Sequence, residues 1–181
     1  MEHEVKERIP WASCSFVFLS HCAHHAMLHL DNKDSVMSSE APYNAVVTLT
    51  INAPVDEVWK ALTEPAQIKQ YMHGTTTVSA WKIGSPIFWR GEWEGKQYED
   101  KGVIHAFEPP KLLKFTHWSP MGGSEDKPEN YHTVRYELIA EGTRTTLTLT
   151  QGNNPSQEAA DKMANTAWAP MMQTLKAMLE K

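Results

Sequence analysis

Cysteine is scarce: the 181 residues contain only Cys14 and Cys22. Two thiols cannot build a disulfide framework, and a four-ligand zinc ribbon is excluded with it. No apolar run approaches the ~18 residues a membrane helix needs. Basic residues are outnumbered as well, 17 Lys and Arg against 22 Asp and Glu, for a net charge of −5. That balance argues against nucleic acid or an anionic membrane as the main partner. Gly-x-Ser-x-Gly, a phosphate loop and a dinucleotide fingerprint are all missing, so nothing points to a hydrolase elbow or a nucleotide site. What is present suits a globular chain: 41% hydrophobic, 22% charged, and seven Trp, many for this length. A chain of this size can bury roughly 70% of the surface its unfolded form exposes, and needs no staple.

The text changes near residue 43. Residues 1–43 sustain neither a strand nor a helix period, hold both Cys and five of the nine His, and read as a poorly structured extension. Glu2, Glu4 and Glu7 outweigh Lys6 and Arg8 ahead of the short apolar patch Trp11–Leu19, which opposes a secretory signal. His21 is too bulky before Cys22 for a lipoprotein cleavage site. Met37 reads as the functional start. His21, His25 and His29 are spaced four apart with Cys22 and His24 alongside, and imidazoles at that spacing can bind zinc on a helix. Nothing around them predicts a helix or supporting residues, so no metal is expected.

From residue 44 onward the chain is patterned. Val47, Leu49 and Ile51 alternate on one face of a strand. Pro54, Asp56 and Glu57 mark a helix start, and Val55, Val58, Trp59 and Leu62 share its apolar face. Pro65–Tyr71 makes a second short helix. Strands follow over Thr75–Trp81, Pro86–Trp93, Tyr98–Phe107, Leu112–Trp118, Tyr131–Ala140 and Arg144–Gln151. Glu94-Gly95-Lys96 is a tight hairpin connection. Ser119–Asn130 is a long loop, either a lid or a surface connection. Gly152–Pro155 is a break, and Ser156 is a candidate N-cap. Ala160, Met163, Ala164, Ala167, Met171, Leu175 and Met178 recur at threes and fours along one helix that Pro170 should kink. The sum is α+β: about six or seven antiparallel strands, two short helices after the first, and a long C-terminal helix that needs the sheet to cover its apolar face.

Three segments resemble a known superfamily. Ile51-Asn-Ala-Pro-Val-Asp-Glu-Val-Trp-Lys-Ala-Leu-Thr-Glu-Pro65 is similar to the opening of START-like, or SRPBCC, domains. Gly102-Val-Ile-His-Ala-Phe-Glu-Pro-Pro-Lys-Leu112 resembles their strand and Pro-Pro segment. Thr145-Thr-Leu-Thr-Leu-Thr-Gln151 and Trp168 resemble their close. Within the superfamily the branch most similar is the activator of heat-shock-protein-90 ATPase homologues, over about residues 44–181. The resemblance implies a helix-grip fold with a cavity between sheet and helix. Members include hydrophobic-ligand binders, polyketide cyclases and aromatases, stress proteins and co-chaperone domains, so fold does not fix function. The eukaryotic co-chaperones carry a separate N-terminal chaperone-binding domain, and residues 1–43 are too short to be one.

With that pattern as a guide to register, Ile87, Trp89, Leu113, Phe115, His117, Tyr136, Leu138, Leu147, Leu149 and Gln151 point inward. Met163, Ala167, Met171 and Leu175 oppose them. An apolar set with a few polar groups is the make-up of a small-molecule pocket, and equally of a filled core. The candidate ligand-binding residues are Trp89, Phe115, His117, Tyr136, Leu149, Gln151, Met163, Met171 and Leu175. His117 is either a donor, acid or base toward a ligand, or a hydrogen-bonded histidine at a strand end. Tyr136 is either a hydroxyl in the cavity or a core aromatic. Glu92, Glu94, Glu99 and Asp100 read as solvated hairpin charges. The expectation is a cytoplasmic START-like domain that binds a small apolar or aromatic molecule. It takes no cofactor, nucleic acid or membrane, and works as monomer or homodimer. A cyclase- or hydrolase-like enzyme using His117 or Tyr136, and a co-chaperone-like interaction domain with a stress role, are the alternatives.

Overall fold

The computed structural model describes residues 43–181. The readings made for residues 1–42, including the Met37 start and the His21, His25 and His29 tract, lie outside the described residues.

Strand β1 (Tyr43–Ile51) is followed by helices α1 (Val55–Thr63) and α2 (Pro65–Tyr71). Six strands then run as β2 (Thr76–Ser79), β3 (Pro86–Trp93), β4 (Lys96–Glu108), β5 (Leu112–His117), β6 (His132–Glu141) and β7 (Arg144–Asn154). The chain ends in α3 (Gln157–Met163), a π turn (Ala164–Trp168) and α4 (Ala169–Leu179). All seven strands form one sheet in the order β1-β7-β6-β5-β4-β3-β2, and every neighbouring pair is antiparallel. The result is the expected α+β helix-grip arrangement, with the C-terminal helix packed on the sheet.

Local chemistry explains the elements. Pro54 precedes α1 as its N-cap, and its carbonyl accepts from the amides of Glu57 and Val58. Asp56 and Glu57 sit in the first turn, where negative charge is favoured by the helix dipole. Glu94 and Gly95 both adopt positive φ, the backbone a two-residue hairpin needs to match strand twist. Ser156 Oγ caps α3 by accepting from the Ala159 amide at 3.1 Å. At its far end the helix is fastened to β1: Lys176 Nζ donates to the Thr50 carbonyl, and the Asn52 amide donates to Glu180.

Several boundaries differ from the sequence reading: β1 begins already at Tyr43, inside the segment read as an extension, and β2 ends at Ser79. Residues 152–154 extend β7 instead of breaking it. Gly152 leaves room there that a side chain would fill, since a Cβ would lie 2.5 Å from Thr133 Oγ1. Asn153 takes positive φ, and its amide donates to the carbonyls of Glu129 and Tyr131. These turn-forming residues are thus used at a strand end. The C-terminal helix, expected to kink at Pro170, widens just before that residue. Proline lacks an N–H and its ring clashes with the carbonyl four residues back. The π turn accommodates this, and the Ala169 amide donates to the Ala164 carbonyl, five residues back.

The concave face of the sheet carries the core. Ile87, Ile104, Leu113, Val134, Leu147 and Leu149 come from the strands, and Met172 and Leu175 from α4. Val58, Leu62, Ile68 and Tyr71 close the side formed by α1 and α2.

Candidate functional site

Strand alternation aims Trp89 of β3, Phe115 and His117 of β5 and Tyr136 of β6 at one place on the concave face. Their rings form a chain: Trp89 and Phe115 have centroids 5.1 Å apart, Trp89 and His117 5.2 Å, and Phe115 and Tyr136 6.2 Å. Leu62, Ile68, Tyr71 and Met72 approach from α1 and α2, with Trp81 beside them, and Trp168 comes from the π turn. Together they enclose an apolar cavity of about 30 Å³, room for little more than a water.

A second, larger cleft of about 310 Å³ adjoins it. Its walls are mixed: polar side chains come from His132 of β6, Gln151, Asn153 and Asn154 of β7, and Ser119, Glu129 and Asn130 of the loop, with Trp118 and Pro155 among them. Met163 of α3 supplies an apolar edge, and His117 and Trp168 line both spaces. Trp168 is held there by one hydrogen bond, 2.5 Å long, from its Nε1–H to Gln151 Oε1. Indole nitrogen can only donate, so the amide oxygen must face it.

Two histidines stand side by side at this junction, since His117 pairs with His132 across β5 and β6. His117 Nε2 is 3.2 Å from Asp100 Oδ2, and the Asp100 side chain is fully buried. His132 Nδ1–H donates to the Gly152 carbonyl. Burial holds the His132 ring below its ordinary pKa, with His117 adding to that against the pull of the Gly152 and Asn153 carbonyls. Burial raises both Tyr71 and Tyr136, with Tyr136 adding to the shift of Tyr71.

The structure thus divides the nine expected residues. Trp89, Phe115, His117 and Tyr136 line the inner cavity, and Gln151 and Met163 join His117 along the polar cleft. Leu149, Met171 and Leu175 line neither space and pack as core. Asp100 corrects the reading of the hairpin acids as solvated. Counting back by twos from Ile104 puts Gly102, Asp100 and Tyr98 on the concave face, and all three are buried. His132 was missed although the same count from Val134 reaches it. Trp168 was read only as part of a closing pattern.

The long loop is tied down on the outer side. Lys101 Nζ pairs with Asp126, Tyr131 Oη donates to the same carboxylate at 2.7 Å, and Trp118 stacks on Tyr131. Three groups of the described chain are buried with no hydrogen-bond partner: Thr77 Oγ1, Asp100 Oδ1 and Trp118 Nε1. Among the described residues no cluster of His, Cys, Asp and Glu could hold a metal ion, and no helix is long and apolar enough to cross a membrane.

A curved antiparallel sheet gripping a C-terminal helix, with cavities between them, defines a START-like domain of the SRPBCC type. Residues 52–180 match the family described as activator of Hsp90 ATPase homolog 1-like protein, and the chain belongs to that family. It is similar to ChR145 of Cytophaga hutchinsonii, a solution structure, at 45% identity, with a TM-score of 0.69 over 78% of this chain and 96% of that one. The Aha1 dimer of Colwellia psychrerythraea, 21% identical with a TM-score of 0.59, shares the fold over 76% of this chain and 96% of that one. CalU16 of Micromonospora echinospora, 24% identical with a TM-score of 0.57, shares it over 75% of each chain. Among curated proteins none matches.

Proposed function

We propose that this domain binds a small aromatic molecule with a polar end, lodged between the sheet and the C-terminal helix. The observation that carries the reading is that an apolar cavity and a cleft bearing several polar side chains meet at His117 and Trp168. The inner one is walled by aromatic rings, and the outer one carries two histidines and four amides. Ligand pockets are mostly apolar with a few placed polar groups. Such pockets hold roughly 300–1,000 Å³, which the outer cleft reaches and the inner cavity does not. The test is titration of the full chain with a panel of two-ring aromatics, followed by calorimetry and by displacement of an anilinonaphthalene dye. Saturable one-to-one binding that weakens in Phe115→Ala and Trp89→Ala supports the reading. A panel in which nothing binds up to the solubility limit overturns it.

Acid–base chemistry is a second reading, favoured by the Asp100–His117 contact. A buried carboxylate that fixes one ring nitrogen orients an imidazole beside the cavity, and imidazole moves protons near neutral pH. Turnover of a bound 1,3-diketone, lost in His117→Phe with binding kept, would favour it over binding alone. Self-association, the state of the Colwellia protein, is checked by sedimentation.

A further inference from the structure

The inner cavity is too small for an organic ligand, at about 30 Å³, yet its walls are those of an aromatic site. It shares two lining residues with the cleft, His117 and Trp168, and the second is a flat aromatic ring carrying one N–H. Trp168 is buried, its ring borders both spaces, and its N–H is spent on Gln151 Oε1. Gln151 is buried as well, so its oxygen needs a donor whatever the state of the site. Trp168 also sits in the π turn directly before Pro170, where the helix departs from its regular ladder. Such turns are frequent at functional positions.

From these observations we infer that Trp168 is a displaceable plug and that Gln151 selects the ligand. The inference rests on the binding reading above. In the ligand-free protein the indole occupies the junction and satisfies Gln151. A ligand enters by moving the indole aside, joining cavity and cleft, and it must replace the lost donor. The class selected is therefore a planar aromatic bearing an O–H or N–H on its rim, a phenol or an indole-like heterocycle. Rings without a donor are disfavoured because they leave the buried amide oxygen unpaired. Leaving a buried acceptor unpaired lowers affinity by about tenfold or more.

The probes are 2-naphthol and 2-methoxynaphthalene, which share a ring system and differ in the donor. Binding to the full chain is measured by calorimetry for the wild type, Gln151→Leu and Trp168→Phe. The wild type should favour 2-naphthol by about tenfold, and Gln151→Leu, which removes both the acceptor and the tether, should abolish that preference. Trp168→Phe loses the tether and should bind both probes several-fold more tightly while keeping the preference. Because a buried Gln151→Leu can fail to fold, a second measurement uses the wild type only. The Trp168 indole N–H resonance, assigned by its absence in Trp168→Phe, should shift on saturation with 2-naphthol. Equal affinity for the two probes, or an indole resonance unmoved at saturation, overturns the plug and leaves the binding reading standing. Failure of both probes to bind at all overturns the binding reading itself, and the plug with it.

Discussion

Asp100 and His117 meet across β4 and β5 at 3.2 Å, a carboxylate with no exposed side-chain surface against an imidazole at the cavity wall. His117 supplies the hydrogen bond that Asp100 Oδ2 receives, while Oδ1 has none among the described residues. Removing the imidazole strands a buried carboxyl group, whereas removing only the charge keeps an acceptor in place. His117→Ala should therefore destabilise by about 1–3 kcal/mol, and Asp100→Asn by less. Urea denaturation of the two variants and their double mutant checks this. A coupling of about 0.5–3 kcal/mol is expected, and simple additivity would contradict the contact.

Met171 and Met163 lie on one helical face but should behave differently. Met171 is buried among core residues and borders neither space, whereas Met163 is half-buried at the cleft. Met171→Ala should cost ~2–5 kcal/mol with ligand affinity unchanged. Met163→Ala should fall below that range and weaken binding. Thermal denaturation paired with calorimetry separates them, and a reversed order would mean the cleft is placed on the wrong turn of the helix.

His132 makes stability depend on pH. Burial holds its folded pKa below the ordinary imidazole value of 6.5. Between the two values the unfolded chain binds the extra proton, so stability rises with pH there. The contribution is complete above pH 6.5 and is lost as pH falls toward the folded pKa. Urea midpoints of the wild type and His132→Gln, taken across this range, should converge at the acid end. Parallel curves would show that another group is responsible.

The outer latch predicts a change in dynamics. Hydrogen bonding from Lys101 first, and from Tyr131 second, holds the Asp126 carboxyl below its ordinary value of 3.8. The latch should stay closed above that value and release only as pH falls through the lower folded one. Asp126→Asn weakens it at neutral pH, so a glutamate-specific protease should cut after Glu129 faster than in the wild type. High salt should have a similar effect, because exposed ion pairs are screened. Equal cleavage in both proteins would mean that the Asn153 contacts hold the loop alone.

Most of the fold was legible because one face of nearly every element is buried. Period two in Leu113, Phe115 and His117, or in Tyr136 and Leu138, fixes which side chains point inward, and the spacing of Met163, Ala167, Met171 and Leu175 fixes the helical face. The same rule reaches Asp100 and His132, but charge beside a hairpin and a polar residue at a strand start both suggest solvent. The division of that interior into core and cavity was not legible. Leu149 and Trp89 are equally inward, and which of them borders open space depends on side-chain volumes from the sheet, α1, α2 and the π turn together. Pro170 announced a departure from α-helix, but nothing local predicts the widened turn ending at Trp168.

Thr48 and Thr148 share a 3.0 Å hydrogen bond between hydroxyls a hundred positions apart. They belong to β1 and β7, whereas every other neighbouring pair in the sheet joins consecutive strands. Hairpins of that kind can close as soon as their own residues are available, but β1 has no partner until β7 exists. Loop closure over such a span is slow relative to local pairing. While the chain is being synthesised, β1 and its apolar side chains must therefore wait for almost the whole domain to emerge. A ribosome-bound chain stopped before Thr145 should leave β1 unpaired, open to proteases and to holding chaperones, with the intervening hairpins already able to form.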